Sequence, residues 1–327
     1  MDNRVKIGVA GAGNMGANHI RIVSELNNLF DFKGIYDPNN NTSVLAEKFG
    51  VRFYPSYELM LEDIDAIIIA SPTSLHFEMA LKAAKHKVHA LVEKPMAETV
   101  GDVQHLQQVF EDQNLKLAVS CVERYSPVIQ VLSEILKQEE ILAVEVHRCS
   151  PYDPRIYDAD VVSDLMIHDI DIVCNAVFNK DPLKVEAFGR NAFSEKYVDY
   201  AHAVLTFDND VRAFITSSRC TQDKIRMLSI HAKDAFIEAD MLNKTISVKR
   251  GIKYIDNIPK ASYRQYNLME QIVVPNKEPL KEDILSFGMA VSGDEAFIVE
   301  KEQIIRDMKV IDQIHNIVYK DFKLYEM

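Results

Sequence analysis

Cysteine is scarce. The chain has four in 327 residues, Cys121, Cys149, Cys174 and Cys220, with no C-x-x-C pair among them. That argues against a structural zinc or a redox dithiol, and it leaves reduced thiols expected in or near the core. Long apolar runs are also missing. Those present, such as Ala66–Ala70, are of strand length, and the first 25 residues lack the apolar stretch of a signal peptide. Nor is there a block of lysine and arginine: 37 basic residues face 49 acidic ones, for a net charge of −12. Nucleic acid and anionic membranes are therefore not expected as partners. No internal repeat and no low-complexity segment interrupts the chain. The expectation is a cytoplasmic protein without a bound metal.

What is present is an ordinary folded composition, 47% hydrophobic and 26% charged, in a chain long enough for two domains. Up to about Val122, apolar runs at 5–10, 32–36, 66–70, 88–92 and 116–120 alternate with helical patterns. Such alternation predicts a doubly wound parallel sheet of the α/β class, with its crevice beyond the carboxyl ends of the strands. After Val122 the rhythm changes. A helix is expected over Arg124–Lys137, a strand over Ile141–Arg148 and a helix over Val161–Val177. Alternating strands follow at 183–190, 198–207, 211–218, 226–231 and 235–238, with a hairpin turn at "FDNDV" (207–211). Helices close the chain at 284–291 and 301–322. The predicted organisation is a dinucleotide-binding Rossmann domain over 1–122 and, over 123–327, an α+β domain with an open, largely antiparallel sheet. The final helices of the second part are free to pack back on the first. An open sheet with an exposed face usually needs covering, so a homodimer or homotetramer is expected.

"GVAGAGNMGANH" (8–19) places Gly11, Gly13 and Gly16 in a G-x-G-x-x-G spacing between the strand-like Val5–Ala10 and a helical pattern running from Asn14 to Leu26. Gly11 suits a tight turn, Gly13 lets backbone approach a pyrophosphate, and Gly16 allows close packing of helix on strand. Free N–H groups of Asn14, Met15 and Gly16 at the helix start add a partial positive charge, with Asn14 also a candidate cap. Asp37 lies 21 residues after Gly16, at the end of the next strand, where a carboxylate can accept hydrogen bonds from a ribose. No Arg or Lys follows it in "DPNNNTS" to answer a 2′-phosphate, so NAD is expected over NADP. A second turn, "SPTSLH" (71–76), follows Ala66–Ala70. Ser71, Pro72 and Thr73 face the same crevice, with Thr73 or Ser74 as a helix cap. "VEKP" (92–95) ends the strand 88–92, and its Lys-Pro peptide is a candidate cis bond. In "DLMIHDID" (164–171), Asp164 and His168 stand at i and i+4 on one helix face, with Asp169 and Asp171 turned elsewhere. Oxidation of a secondary alcohol needs a base for the hydroxyl proton, and histidine titrates in the right range.

In these motifs and their order, the whole chain resembles the glucose-fructose oxidoreductase, inositol dehydrogenase and rhizopine-catabolism (Gfo/Idh/MocA) oxidoreductases. The resemblance implies that Lys94, Asp164 and His168 are catalytic, and that His76 and Glu93 line the dinucleotide with the glycine turn, Ser71, Pro72 and Thr73. Many members carry a glycine two residues before the histidine. Met166 stands there in this chain, which implies a bulkier substrate wall. "VERYSP" (122–127) and "HRCSPYDPR" (147–155) resemble the subgroup acting on UDP-N-acetylglucosamine, with Arg124, Tyr125, Arg148 and Arg155 as substrate contacts and the arginines as diphosphate ligands. The expected activity is hydride transfer between a secondary hydroxyl of a sugar derivative and NAD. Free polyols or aldoses remain alternative substrates, and a silent NAD-binding regulator is the alternative from another class.

Overall fold

The computed structural model describes residues 4–154, 159–253, 265–296 and 298–322. It divides into two compact units, one of residues 1–125 and 277–308 and one of residues 126–276 and 309–327.

The first unit is built from β1 (Val5–Ala10), α1 (Asn14–Glu25), β2 (Phe30–Tyr36), α2 (Ser43–Phe49), β3 (Arg52–Phe53), α3 (Tyr57–Leu61), β4 (Ala66–Ile69), α4 (Thr73–Lys85), β5 (His89–Val92), α5 (Val100–Asp112) and β6 (Leu117–Val119). The six strands form one parallel sheet in the order β3-β2-β1-β4-β5-β6. β1 and β4 are near-continuous apolar runs because helices cover both faces of the sheet, and Ile7, Val9, Ile67 and Ile68 are wholly buried. The strand order reverses between β1 and β4, so the turns after these two strands flank the crevice where a doubly wound sheet receives a ligand.

The second unit contains α6 (Pro127–Leu136), β7 (Ile141–Cys149), α7 (Ile167–Asp171), β8 (Lys184–Arg190), β9 (Tyr200–Thr206), β10 (Arg212–Ser218), β11 (Ile225–Ala232), β12 (Phe236–Asp240), β13 (Thr245–Lys253) and β14 (Gln265–Val273). Its eight strands run β14-β13-β12-β11-β7-β10-β9-β8, all antiparallel except β7 with β10. Alternation fixes the faces. Ala201, Ala203 and Leu205 of β9 point into a core with Val128, Leu132, Val162, Ile170 and Val173, while the residues between them face outward. The chain closes with α8 (Pro279–Ser292), whose Leu280, Ile284 and Phe287 pack against the β1 side of the first unit, and α9 (Lys301–Phe322).

Some local expectations change. The helix anticipated from Arg124 starts at Pro127, after a 3₁₀ turn over Val122–Tyr125. β13 and β14 had no predicted counterpart, and the parallel β7–β10 pair makes the sheet mixed. Cys220 is exposed while the other three cysteines are buried. Among the described residues no helix is long and apolar enough to cross a membrane, and no cluster of potential ligands could hold a metal ion.

Candidate active site

Gly11, at the β1–α1 turn, has φ +91°, and a Cβ there would lie 2.4 Å from the Ala70 carbonyl oxygen. A Cβ on Gly16 would lie 2.0 Å from the Gly11 oxygen, so helix and turn meet backbone to backbone. Gly13 differs, since a Cβ there would meet nothing within 4 Å. The space a Gly13 side chain would enter is therefore open. Gly13 itself occupies the cap position, and no side chain caps the helix, so Asn14 is its first residue and not its cap. The start of α4 is also without a side-chain cap. Pro72 holds that position, which corrects the expectation for Thr73 or Ser74. Two bare helix N-termini thus follow the two strands that flank the crevice, each with donors unspent on the protein. Met15 is 41% exposed beside the first of them.

Asp37 is half-buried just after β2 and binds the glycine turn directly. Its Oδ2 accepts the Ala12 N–H at 2.7 Å and its Oδ1 the Asn39 N–H at 2.8 Å. A carboxylate oxygen has room for further donors. These features fit a dinucleotide: open space for a pyrophosphate at Gly13, free helix N–H groups around it and an anchored carboxylate at the strand end.

Two residues expected at the cofactor make their side-chain hydrogen bonds within the protein. His76 is buried, and its Nδ1 and Nε2 lie 2.8 Å from the Pro95 and Ser71 carbonyl oxygens. It braces the two turns. Glu93 is likewise turned inward: Oε1 lies 2.6 Å from Nε2 of the fully buried His19, and Oε2 accepts the Lys94 N–H at 3.2 Å. The Lys94–Pro95 peptide is cis. The same unit holds a buried carboxyl that no local sequence pattern marks. Asp283 of α8 is 2% exposed and accepts the Ser120 hydroxyl at 2.6 Å. Burial pushes its carboxyl up to about 7, against the Ser120 hydrogen bond and the charges of His19 and Lys94; Glu93 adds to the rise. Tyr125, expected at the substrate, is buried here instead. Burial raises its hydroxyl, which hydrogen-bonds with Ser286, well above its usual range.

In the second unit the helix carrying Asp164 and His168 is irregular. Val162–Met166 and Ile172–Val177 are wound as π-helix on either side of α7, a distortion often found at functional sites. Both side chains are half-buried and one turn apart. Arg219, just beyond β10, is 3% exposed, donates to the Asp164 carboxylate at 2.8 Å and to the Ala159 carbonyl at 2.7 Å, and fixes the carboxylate's direction. Its only sequence signal is its place at a strand end. Arg148 leaves the substrate set. It is 3% exposed, with Nε 2.8 Å from the fully buried Asp169, so it neutralises a core carboxylate. Asp171 is buried and accepts the Asn175 amide at 3.0 Å. Met166 packs wholly in the core rather than on a substrate wall. Arg124 is half-buried in the 3₁₀ turn, and Arg155 lies outside the described residues.

A doubly wound sheet with a glycine turn, an acid after β2 and a second α+β unit defines a nucleotide-dependent oxidoreductase. Residues 5–121 match the model of the oxidoreductase family with an NAD-binding Rossmann fold, and residues 140–238 match the C-terminal domain model of the same family. The chain belongs to the Gfo/Idh/MocA family of oxidoreductases. It is 32% identical over 260 residues to the UDP-N-acetylglucosamine 3-dehydrogenase of Acidithiobacillus ferrooxidans, covering 78% of this chain and 80% of that one. The solved structure of that enzyme superposes with a TM-score of 0.87 and 26% identity, over 98% of this chain and 99% of the other. The chain is also 25% identical over 230 residues to the myo-inositol 2-dehydrogenase of Thermotoga maritima, covering 66% of this chain and 69% of that one.

Proposed function

We propose that the protein is an NAD-preferring dehydrogenase that oxidises a secondary hydroxyl of a sugar derivative, with a nucleotide sugar as substrate. The observation that carries this reading is the pair formed by half-buried His168 and, one turn before it, a carboxylate held in place by a buried arginine. A regulator that only binds NAD has no need of that device. When bound, the nicotinamide supplies the hydride acceptor. His168 removes the hydroxyl proton, Asp164, aimed by Arg219, orients the imidazole or accepts a neighbouring substrate hydroxyl, and the Lys94 ammonium steadies negative charge developing on the oxygen. The glycine turn, the two bare helix starts and Asp37 bind the dinucleotide. Asp37 supports NAD over NADP because its charge repels a 2′-phosphate and no basic residue follows it.

The nucleotide-sugar reading draws support from the 32% identity to an enzyme named for a UDP-sugar. Arg124 and Arg155 are its remaining candidate diphosphate contacts. Exposed apolar side chains on the second unit's sheet, Phe188 at 53% and Met269 at 60%, support a homodimer or homotetramer, which light scattering in solution measures.

The test of the chemistry is turnover of UDP-sugars and matching free sugars by His168→Ala and Lys94→Ala. Each should lower kcat by on the order of 10²-fold or more with NAD affinity nearly unchanged. Near-normal kcat in either variant removes that residue from the reaction. NAD binding without turnover of any sugar favours the regulator, and equal use of free sugar and UDP-sugar favours a polyol or aldose dehydrogenase.

A further inference from the structure

The helix that carries Asp164 and His168 begins at a residue that the proposed chemistry leaves idle. Asp160, 6% exposed, meets the first turn of that helix at three points: its Oδ1 accepts the Val162 N–H at 3.0 Å and the Ser163 N–H at 2.8 Å, and its backbone carbonyl accepts the Asp164 N–H at 3.0 Å. It caps the helix. Its other carboxylate oxygen meets α9, where His315 and Tyr319 stand at i and i+4 on one helix face. The Tyr319 hydroxyl donates to Oδ2 at 2.7 Å, and His315 Nε2 lies 3.1 Å from Oδ2 and 3.3 Å from the Ser163 hydroxyl. Tyr319 also accepts the Val198 N–H at 3.4 Å, and the Val198 carbonyl accepts the Val161 N–H at 3.0 Å. Capping alone needs none of this, since a serine or a solvated aspartate satisfies the same two N–H groups. Arg219 meanwhile donates both to the carbonyl of Ala159, the residue before Asp160, and to the Asp164 carboxylate. One guanidinium thus closes residues 159–164 into a ring, and the place of the Asp164 carboxylate follows that of Asp160.

We propose that Asp160 is a positioning residue for Asp164, and that His315 and Tyr319 hold it, so that α9 sets the geometry of the candidate catalytic pair. This rests on the reading of Asp164 and His168 given above. Asp160 acts through the Asp164 amide that its carbonyl binds and through the neighbouring Ala159 carbonyl that Arg219 binds. Without the two α9 partners it still caps the helix but loses its fixed direction, and Asp164 then shifts relative to His168. A displacement of about 1 Å at a catalytic constellation can cost about 10²-fold in rate. NAD binding, assigned to the first unit, takes no part in the ring.

The experiment uses the full chain and compares Tyr319→Phe, Asp160→Ser and Asp160→Asn with wild type. Serine keeps a cap on the helix but is too short to engage α9; asparagine keeps the cap and still presents an amide to Tyr319 and His315. Amide hydrogen exchange in the ligand-free protein, followed by mass spectrometry of peptides spanning 160–168, should be about tenfold faster in Tyr319→Phe and Asp160→Ser and close to wild type in Asp160→Asn. The kcat should fall about tenfold in Asp160→Ser and about threefold in Tyr319→Phe, and recover in Asp160→Asn, with NAD affinity little changed. Asparagine loses the ion pair with His315 and hence stability, so a merely structural role would make kcat follow the melting temperature and group Asp160→Asn with Asp160→Ser. That grouping overturns the proposal. So does unchanged exchange in both Tyr319→Phe and Asp160→Ser, or faster exchange with kcat unchanged. Tyr319→Phe serves if the Asp160 variants do not fold. Normal kcat in Asp164→Ala overturns the reading of Asp164 and the proposal with it, and the exchange result tells that case from a failure of the α9 contacts alone.

Discussion

Gly13→Ala and Gly16→Ala separate binding from folding within a single turn. Gly13 has φ −70° and ψ −161°, a conformation open to any L-residue, and a Cβ there meets no protein atom within 4 Å. Removing the conformational freedom of a glycine at a compatible site stabilises by roughly 0.4–1 kcal/mol through the unfolded chain. The ligand-free Gly13→Ala protein should melt at or slightly above the wild-type temperature. Its added methyl, however, stands in the space through which a pyrophosphate approaches the N–H groups of α1. Each charge-assisted hydrogen bond lost costs about 1.5–3 kcal/mol, so the Kd for NAD should rise roughly 10- to 150-fold per bond. Gly16→Ala should behave in the opposite way. Its Cβ would sit 2.0 Å from the Gly11 oxygen and 2.7 Å from the Gly11 carbonyl carbon, contacts that only a backbone shift relieves. Overpacking against fixed backbone costs about 1–3 kcal/mol or more, so this variant should melt lower even without ligand. Differential scanning fluorimetry without ligand and titration calorimetry with NAD measure the two effects. A Gly13→Ala protein that binds NAD as tightly as wild type would refute the placement of the pyrophosphate at this turn.

Three further outcomes are expected. Asp37→Asn should narrow the preference for NAD over NADP in titration calorimetry. It should also weaken NAD itself, because the same carboxylate holds the Ala12 N–H of the glycine turn; equal binding of both cofactors by wild type contradicts the assignment. Arg124→Ala should raise KM for a UDP-sugar about 10- to 150-fold and leave kcat less affected, whereas Arg148→Ala should lower stability by about 3–5 kcal/mol in chemical denaturation by leaving Asp169 buried and unpaired; an Arg148→Ala protein as stable as wild type would argue against that core role. Asp160 is mostly buried, which opposes its charge, yet His315, the Ser163 N–H and the Tyr319 hydroxyl outweigh burial and lower its carboxyl to about 2 from 3.8. A depressed carboxyl stabilises above the unfolded value and loses that contribution as pH falls from 3.8 towards 2, so urea unfolding should show about 2 kcal/mol that Asp160→Asn lacks at neutral pH and that fades in acid.

The parts of the site that are local in the chain are legible in the sequence itself. The apolar runs that became β1 and β4, the glycines between β1 and α1, and Asp37 after β2 lie within a few dozen residues of one another. A buried parallel strand, a turn needing φ above zero and a helix start each have a residue pattern of their own. What could not be read was which polar side chains spend their charge on one another. Asp283 meets Ser120 across 163 positions, Arg219 meets Asp164 across 55, and Arg148 meets Asp169 because β7 lies beside a helix 21 residues on. In sequence, an aspartate in the first turns of an amphipathic helix reads as solvated, and an arginine near a presumed crevice reads as available. Burial turned Arg148 from an expected diphosphate ligand into a core counter-ion, and it encloses Asp283, which no local pattern singled out, against the Ser120 hydroxyl. Desolvation and pairing depend on the distance between groups far apart in the chain. Only the register of the sheets and the return of α8 to the first unit set those distances.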